Sequence, residues 1–310
     1  MAYLPQQREW RALLHGLRER LPVNCLLCQA RTPGGLCASC QQAVYASMNP
    51  GGRRCSVCDL ALAGSAGPGG ACPDCAALSP AFDRVVAAFD YAWPGELLIH
   101  RFKREGRLAC APVLARLMAE RCRRTYGWIP AGQGLAHDAL VVAVPASRHS
   151  LALRGFNPSA ELGRELAHRL RLDWQPGLLQ RMRDGPHQKS LGRRSRLRSV
   201  AGLYRCAGVV AGRNVLVVDD VMTTGSTLNA IARALKAGGA TKVWGVVAAR
   251  TPAVVSGGAR MPVTRASAAQ QGHSLRRGWH HPDVLPHTVP HWPGFAGHPG
   301  EWRSPPWNAG

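Results

Sequence analysis

The chain has 310 residues, with 39 Lys plus Arg against 18 Asp plus Glu, and a formal net charge of +21 with histidines neutral. That length suits one large domain or two smaller ones, and no uninterrupted apolar stretch approaches the roughly 18 residues of a membrane-spanning helix, which excludes such a span. The excess charge raises affinity for polyanions through counterion release. Only four of the basic residues are lysines, however, and so lopsided an Arg excess beside abundant Ala, Gly and Pro fits a GC-rich coding sequence equally well.

In chain order, residues 1–22 place Trp10, Leu13, Leu14, Leu17 and Leu21 on one stripe of a helix, with Arg8, Arg11 and Arg18 elsewhere. The stripe suits docking on the rest of the chain better than membrane binding. Charged residues interrupt the segment too often for a signal-peptide core, so a cytoplasmic location is expected.

Residues 23–78 carry eight of the 11 cysteines as four CxxC units: Cys25/Cys28, Cys37/Cys40, Cys55/Cys58 and Cys72/Cys75. One such turn presents two thiolates to a tetrahedral ion, and two turns complete a four-cysteine zinc site. The intervals are rich in Gly and Pro and bury little on their own, so metal would supply the folding energy, on the order of 10 kcal/mol per site. A reducing compartment disfavours the competing disulfide framework. Two consecutive ribbons (25, 28, 37, 40 and 55, 58, 72, 75) and a crossed pairing both fit the spacing, and the short gap between Cys28 and Cys37 leaves a single filled site as an alternative.

Further along, Leu140 to Val144 reads as a buried strand, and Asn157 and Pro158 read as the N-cap and first residue of a helix carrying Leu162, Leu166 and Leu170. Residues 181–199 hold seven Arg or Lys with little apolar periodicity and are expected to form a basic loop. Val215 to Val218 is a continuous β-branched and leucine run, as in a strand buried on both faces of a parallel sheet. Leu228, Ile231, Ala232 and Leu235 mark a helix packed on that sheet, Gly238 and Gly239 end it, and Val243 to Val247 reads as the next strand.

The turn inside this βαβ unit holds Asp219, Asp220, Thr223, Thr224, Gly225, Ser226 and Thr227. Backbone N–H groups at the helix start, hydroxyls beside them and a glycine permitting close approach suit a phosphate monoester. Two carboxylates would repel that phosphate unless they grip something attached to it, such as the adjacent hydroxyls of a ribose. The pattern therefore asks for a ribose 5-phosphate group, and the GxxxxGK[ST] signature of nucleoside triphosphatases is absent. Residues 251–310, with nine prolines, eight glycines and no periodicity, read as a disordered tail.

The segment VLVVDDVMTTGST resembles the phosphoribosyl pyrophosphate (PRPP) motif of type I phosphoribosyltransferases. That resemblance implies that Asp219 and Asp220 bind the ribose hydroxyls, that Thr223, Thr224, Gly225, Ser226 and Thr227 hold the 5′-phosphate, and that Arg148 meets pyrophosphate in the loop Pro145–Arg148. It also implies magnesium accompanying PRPP and a lid made by the basic loop. The double CxxC ribbon followed by IHRFKREGR, AVPASRHSLALRGFN, HQKSLGRRSRLRS and that motif is similar to the ComF/GntX family over roughly residues 20–250. The implied architecture is α/β: a type I phosphoribosyltransferase-like parallel sheet flanked by helices over 81–250, preceded by a small double zinc ribbon. Lys103, in the IHRFKREGR segment, is a weak substrate-site candidate and reads more readily as a solvated lysine.

Two functions follow. One is an enzyme that transfers ribose 5-phosphate from PRPP to an acceptor; residues 81–110 carry no base-recognition signature, so the acceptor stays unnamed. The other is a competence factor that binds nucleic acid through the ribbon and basic loop and uses PRPP as a regulator, with single-stranded DNA or the DNA-uptake machinery as partner. The resemblance supplies that link, since ComF proteins are associated with natural transformation and GntX with gluconate use.

Overall fold

A computed structural model describes residues 20–48, 52–62, 67–126, 139–183 and 202–252. The bulk of the expected N-terminal helix, the body of the basic loop and the tail from residue 253 lie outside the described residues.

A short antiparallel hairpin, β1 (Pro22–Asn24) and β2 (Arg31–Pro33), leads into α1 (Ala38–Ala46). After α2 (Pro73–Leu78) come β3 (Arg84–Asp90), α3 (Gly95–Lys103), α4 (Cys110–Tyr126) and β4 (Leu140–Ala143). Two helices follow, α5 (Arg148–Arg154) and α6 (Pro158–Leu170), then β5 (Asp173–Trp174) and a two-stranded antiparallel ribbon of β6 (Leu179–Arg181) with β7 (Tyr204–Cys206). The chain continues through β8 (Asn214–Met222), α7 (Ser226–Ala237) and β9 (Lys242–Arg250).

Five strands form a parallel sheet in the order β3-β9-β8-β4-β5. Its residues alternate between two cores, as the unbroken apolar runs require. Val86, Ala88, Val141, Leu216, Val218 and Val246 join Leu114, Leu117 and Met118 of α4 and Leu162 and Leu166 of α6 on one face. Val85, Ala87, Val142, Val215, Val217 and Val247 meet Leu228, Ile231, Ala232 and Leu235 of α7 on the other. Each fully buried aliphatic side chain contributes roughly 1.5–3 kcal/mol, so both faces are needed to hold the central strands.

β3 is an edge strand, and an edge left bare is a template for pairing with another chain. Here the cysteine-rich segment covers it: the Val85 N–H donates to the Val57 carbonyl at 2.8 Å, and the Ala87 N–H donates to Asp59 Oδ2 at 2.8 Å. Arg54 fixes that cover. Its two Nη atoms donate to the Asp90 carboxylate at 3.0 and 2.8 Å, and its Nε donates to Asp59 Oδ1 at 3.0 Å.

The topology also sets the place for a ligand. From β4 the chain crosses through α6 to β5 on one side, whereas from the adjacent β8 it crosses through α7 to β9 on the other. Strand order reverses between β4 and β8, and in open parallel sheets the crevice beyond the carboxyl ends of such a pair is where ligands bind.

Candidate functional site

β8 delivers the acidic pair to that crevice. It continues past Val218 to Met222, because Asp219, Val221 and Met222 pair with Val247, Ala249 and Arg250 of β9. Asp219 and Asp220 are thus strand residues and not part of the turn expected from sequence. Ladder pairing with β9 outweighs the turn preference of two consecutive aspartates. Asp220 is buried, 7% exposed, and its Oδ1 accepts from Lys103 Nζ at 3.1 Å. The expectation for Lys103 is therefore corrected: α3 carries it into the site, where it offsets one of two adjacent like charges. Asp219 Oδ1 accepts from Ser159 Oγ at 2.8 Å. Burial pushes the Asp219 carboxyl up to about 7, with the charge of Asp220 adding to the rise and the Ser159 hydrogen bond opposing it.

Between β8 and α7 the chain turns over Thr223, Thr224 and Gly225. Gly225 adopts φ +77°, the left-handed region that favours glycine, and a Cβ there would stand 2.5 Å from Met222 Cε, the movable end of a flexible side chain. The Thr224 and Ser226 hydroxyls lie 3.0 Å apart. Thr223, Thr224, Gly225, Ser226 and Thr227 line one small pocket together with Asp219. All the residues expected at a phosphate are thus gathered at the N-terminus of a 12-residue helix, where the helix dipole favours an anion.

Arg148 follows β4, the strand beside β8. The expected loop ends at Ser147, whose Oγ accepts from the Ser150 N–H at 3.1 Å and so caps α5, a short helix that sequence reading did not anticipate. Arg148 is its first residue. The predicted start of α6 is as expected: Asn157 Oδ1 accepts from the Ser159 N–H at 3.1 Å, and Pro158 opens the helix. Asn157 Nδ2 also donates to the Val144 carbonyl at 3.0 Å, which ties the helix start to the end of β4. The sequence does not single out Ser159; its bond to Asp219 spans 60 residues and leaves no local signal.

The eight cysteines form two tetrads, Cys25, Cys28, Cys37, Cys40 and Cys55, Cys58, Cys72, Cys75, with the four sulfurs of each within 4.8 Å of one another. The pairing is consecutive, and both clusters assemble. Cys28 and Cys37 Sγ are 3.7 Å apart, as are Cys58 and Cys72 Sγ. That is too long for a disulfide and close to the edge, about 3.8 Å, of a tetrahedron with 2.3 Å Zn–S bonds. The Leu27 and Cys37 N–H groups donate to Cys25 Sγ at 3.5 Å, and the Cys58 and Cys72 N–H groups donate to Cys55 Sγ at 3.4 and 3.1 Å, stabilising thiolates. Hydrogen bonding from Cys75, backbone N–H donation and the neighbouring Arg250 draw the Cys58 thiol down to about 4 against its burial. Both donor sets fit a structural zinc ion.

A phosphoribosyl transferase domain family matches residues 161–255. The DNA utilization protein YhgH of Salmonella typhi is 33% identical over 229 residues, spanning 72% of this chain and 95% of its own. The chain belongs to the ComF/GntX family. Competence protein F of Haemophilus influenzae, 28% identical over 237 residues, spans 73% of this ComF-family chain and 97% of its own. A solved hypoxanthine phosphoribosyltransferase from Staphylococcus aureus aligns over 47% of the chain and 68% of its own with 14% identity and a TM-score of 0.31, too loose a match to argue from. Among the described residues no helix is long and apolar enough to cross a membrane.

Proposed function

We propose that this protein binds PRPP with magnesium in the crevice beyond β4 and β8 and transfers ribose 5-phosphate to an acceptor, releasing pyrophosphate, in the service of DNA utilization. The observation that carries this reading is the single pocket shared by Asp219 and the residues Thr223 to Thr227. A phosphate at the start of α7 puts the attached ribose toward the end of β8. There the Asp219 and Asp220 carboxylates accept hydrogen bonds from the 2′- and 3′-hydroxyls. The loop N–H groups and the hydroxyls of Thr223, Thr224, Ser226 and Thr227 donate to phosphate oxygens. Arg148, the first residue of α5 after the adjacent strand, is the group that meets pyrophosphate in this reading. As the bond to the anomeric carbon breaks, positive charge grows on the sugar, and the two carboxylates hold the ring in place without attacking it. Magnesium bound with PRPP would supply charge neutralisation at the pyrophosphate.

The first test is thermal. PRPP with Mg²⁺ at 100 times Kd stabilises a binding-competent fold by about 2.7 kcal/mol, or roughly 5–10 °C in a body of this size. That shift is expected for the wild type and absent from Asp219→Ala/Asp220→Ala. No shift in well-folded wild type overturns the reading.

The relatives named for DNA utilization and competence, with the net charge of +21, favour a second reading in which the same pocket regulates a nucleic-acid-binding protein. Steeply salt-dependent retention of single-stranded DNA that survives the double substitution, with no pyrophosphate release from PRPP and any base, selects it.

A further inference from the structure

The least exposed charged side chain of the described core is Arg250, 2% accessible, at the last position of β9. It stands between the second cysteine tetrad and the phosphate loop and touches both. Its Nε donates to the Cys58 carbonyl at 3.2 Å, and its Nη2 lies 3.9 Å from Cys58 Sγ. Its Nη1 donates to the Met222 carbonyl at 3.1 Å, to the Thr223 carbonyl, and to the Thr251 carbonyl at 3.1 Å. Met222 and Thr223 are the residues at which β8 turns into the loop.

A buried guanidinium is costly unless it is compensated, and among the described residues no carboxylate pairs with Arg250. A divalent ion held by four thiolates carries two net negative charges. A metal-loaded second tetrad would therefore supply the compensating charge beside Cys58. The planar fork of arginine is rigid, so fixing one edge on Cys58 fixes where the other edge holds the loop carbonyls. With the Met222 and Thr223 carbonyls drawn toward Arg250, the peptides that follow are left to turn their N–H groups toward the pocket. Among the described residues the first tetrad has no such route, because its buried cysteines, Cys25 and Cys40, join the core on the opposite face of the sheet.

We propose that Arg250 is a positioning residue that couples metal occupancy of the Cys55, Cys58, Cys72, Cys75 site to the anion affinity of the phosphate loop. The ion in this ribbon would thus be part of the ligand site's architecture, while the ion in the other ribbon would not. The proposal rests on PRPP being the ligand of that loop. Coupling of this kind is reciprocal: if the ion tightens PRPP, PRPP must tighten the ion by the same factor.

The reciprocity supplies a test that needs no substitution. Zinc release from full-length protein to a colorimetric chelator, at equal Mg²⁺ with and without saturating PRPP, is expected in two phases, one of which PRPP slows by about tenfold. Cys28→Ser assigns the phases, since it accelerates release from the first tetrad; the phase it accelerates should be the one PRPP leaves alone. Arg250→Lys keeps the charge and loses the fork. It should retain two zinc ions, bind PRPP about tenfold more weakly by calorimetry and lose the PRPP effect on release. A merely structural Arg250 would lower the melting temperature and leave the release ratio unchanged. PRPP that binds wild type but slows both phases equally, or neither, overturns the coupling alone. PRPP that does not bind wild type at all overturns the functional reading and the coupling with it. Should Arg250→Lys fail to fold, the wild-type release ratio decides.

Discussion

Asp219 is an acid held where ionisation is unfavourable. Burial and the adjacent Asp220 raise its carboxyl from 3.8 to about 7. The sign for stability follows from linkage. Between these values the folded chain keeps a proton that the unfolded chain has lost, so this group's contribution to stability falls as pH rises through the window. Ligand binding runs the other way. Accepting two hydroxyl hydrogen bonds requires the carboxylate, so PRPP must expel the proton, and affinity should climb from about pH 5.5 to about pH 8. Calorimetry at about pH 6.5 in two buffers of different ionisation heat is expected to show proton release on binding, reduced in Asp219→Asn. Affinity flat across that range, with no proton release, would remove Asp219 from the ribose site. No pattern in the sequence announces this shift. The double Asp is visible there, but the burial that dominates the rise, and the Ser159 and Lys103 contacts that oppose it, come from parts of the chain far from residue 219.

The strands and helices of the βαβ unit were legible because their apolar periodicity is local: the four predicted α7 residues Leu228, Ile231, Ala232 and Leu235 are all buried. Their boundaries were not. β8 runs four residues past Val218 because β9 continues beside it, and pairing partners are a property of the sheet. The turn that follows is where local chemistry is most restrictive. Gly225→Ala forces a non-glycine residue into φ +77° and places a methyl group against Met222 Cε. The backbone strain is roughly 1–2 kcal/mol, small beside the stability of the core, so the protein should fold. The loop N–H groups would be displaced by a fraction of an ångström. The PRPP-dependent thermal shift should therefore be lost while the unliganded melting temperature drops by a few degrees, about 2–4 °C per kcal/mol. A full ligand shift in Gly225→Ala would mean that phosphate does not approach this backbone.

CxxC spacing predicts zinc ribbons, and consecutive tetrads are what the structure contains. Spacing is silent on where they go. Cys25 and Cys40 are buried in one core with Leu98, Phe102 and Leu114, whereas Cys55, Cys58 and Cys72 are buried in the other with Phe82, Val85 and Ala87. The two ribbons therefore flank β3 from opposite faces, and Val57 and Asp59 close its open edge. Such contacts link residues far apart in the chain, through Arg54, Asp59 and Asp90, and no local pattern encodes them. They also make the metal a determinant of the sheet's stability and not of the ribbons alone. Structural zinc contributes on the order of 10 kcal/mol per site, comparable with the whole stability of a typical domain. Calorimetric scans of zinc-loaded protein are thus expected to give one cooperative transition for ribbons and sheet together. Stripping the metal with a strong chelator should lower or abolish that transition as a unit. A stripped protein whose sheet still melts at the loaded temperature would show instead that the ribbons are appended to a self-sufficient fold, and the contacts around Arg54 would then be worth little.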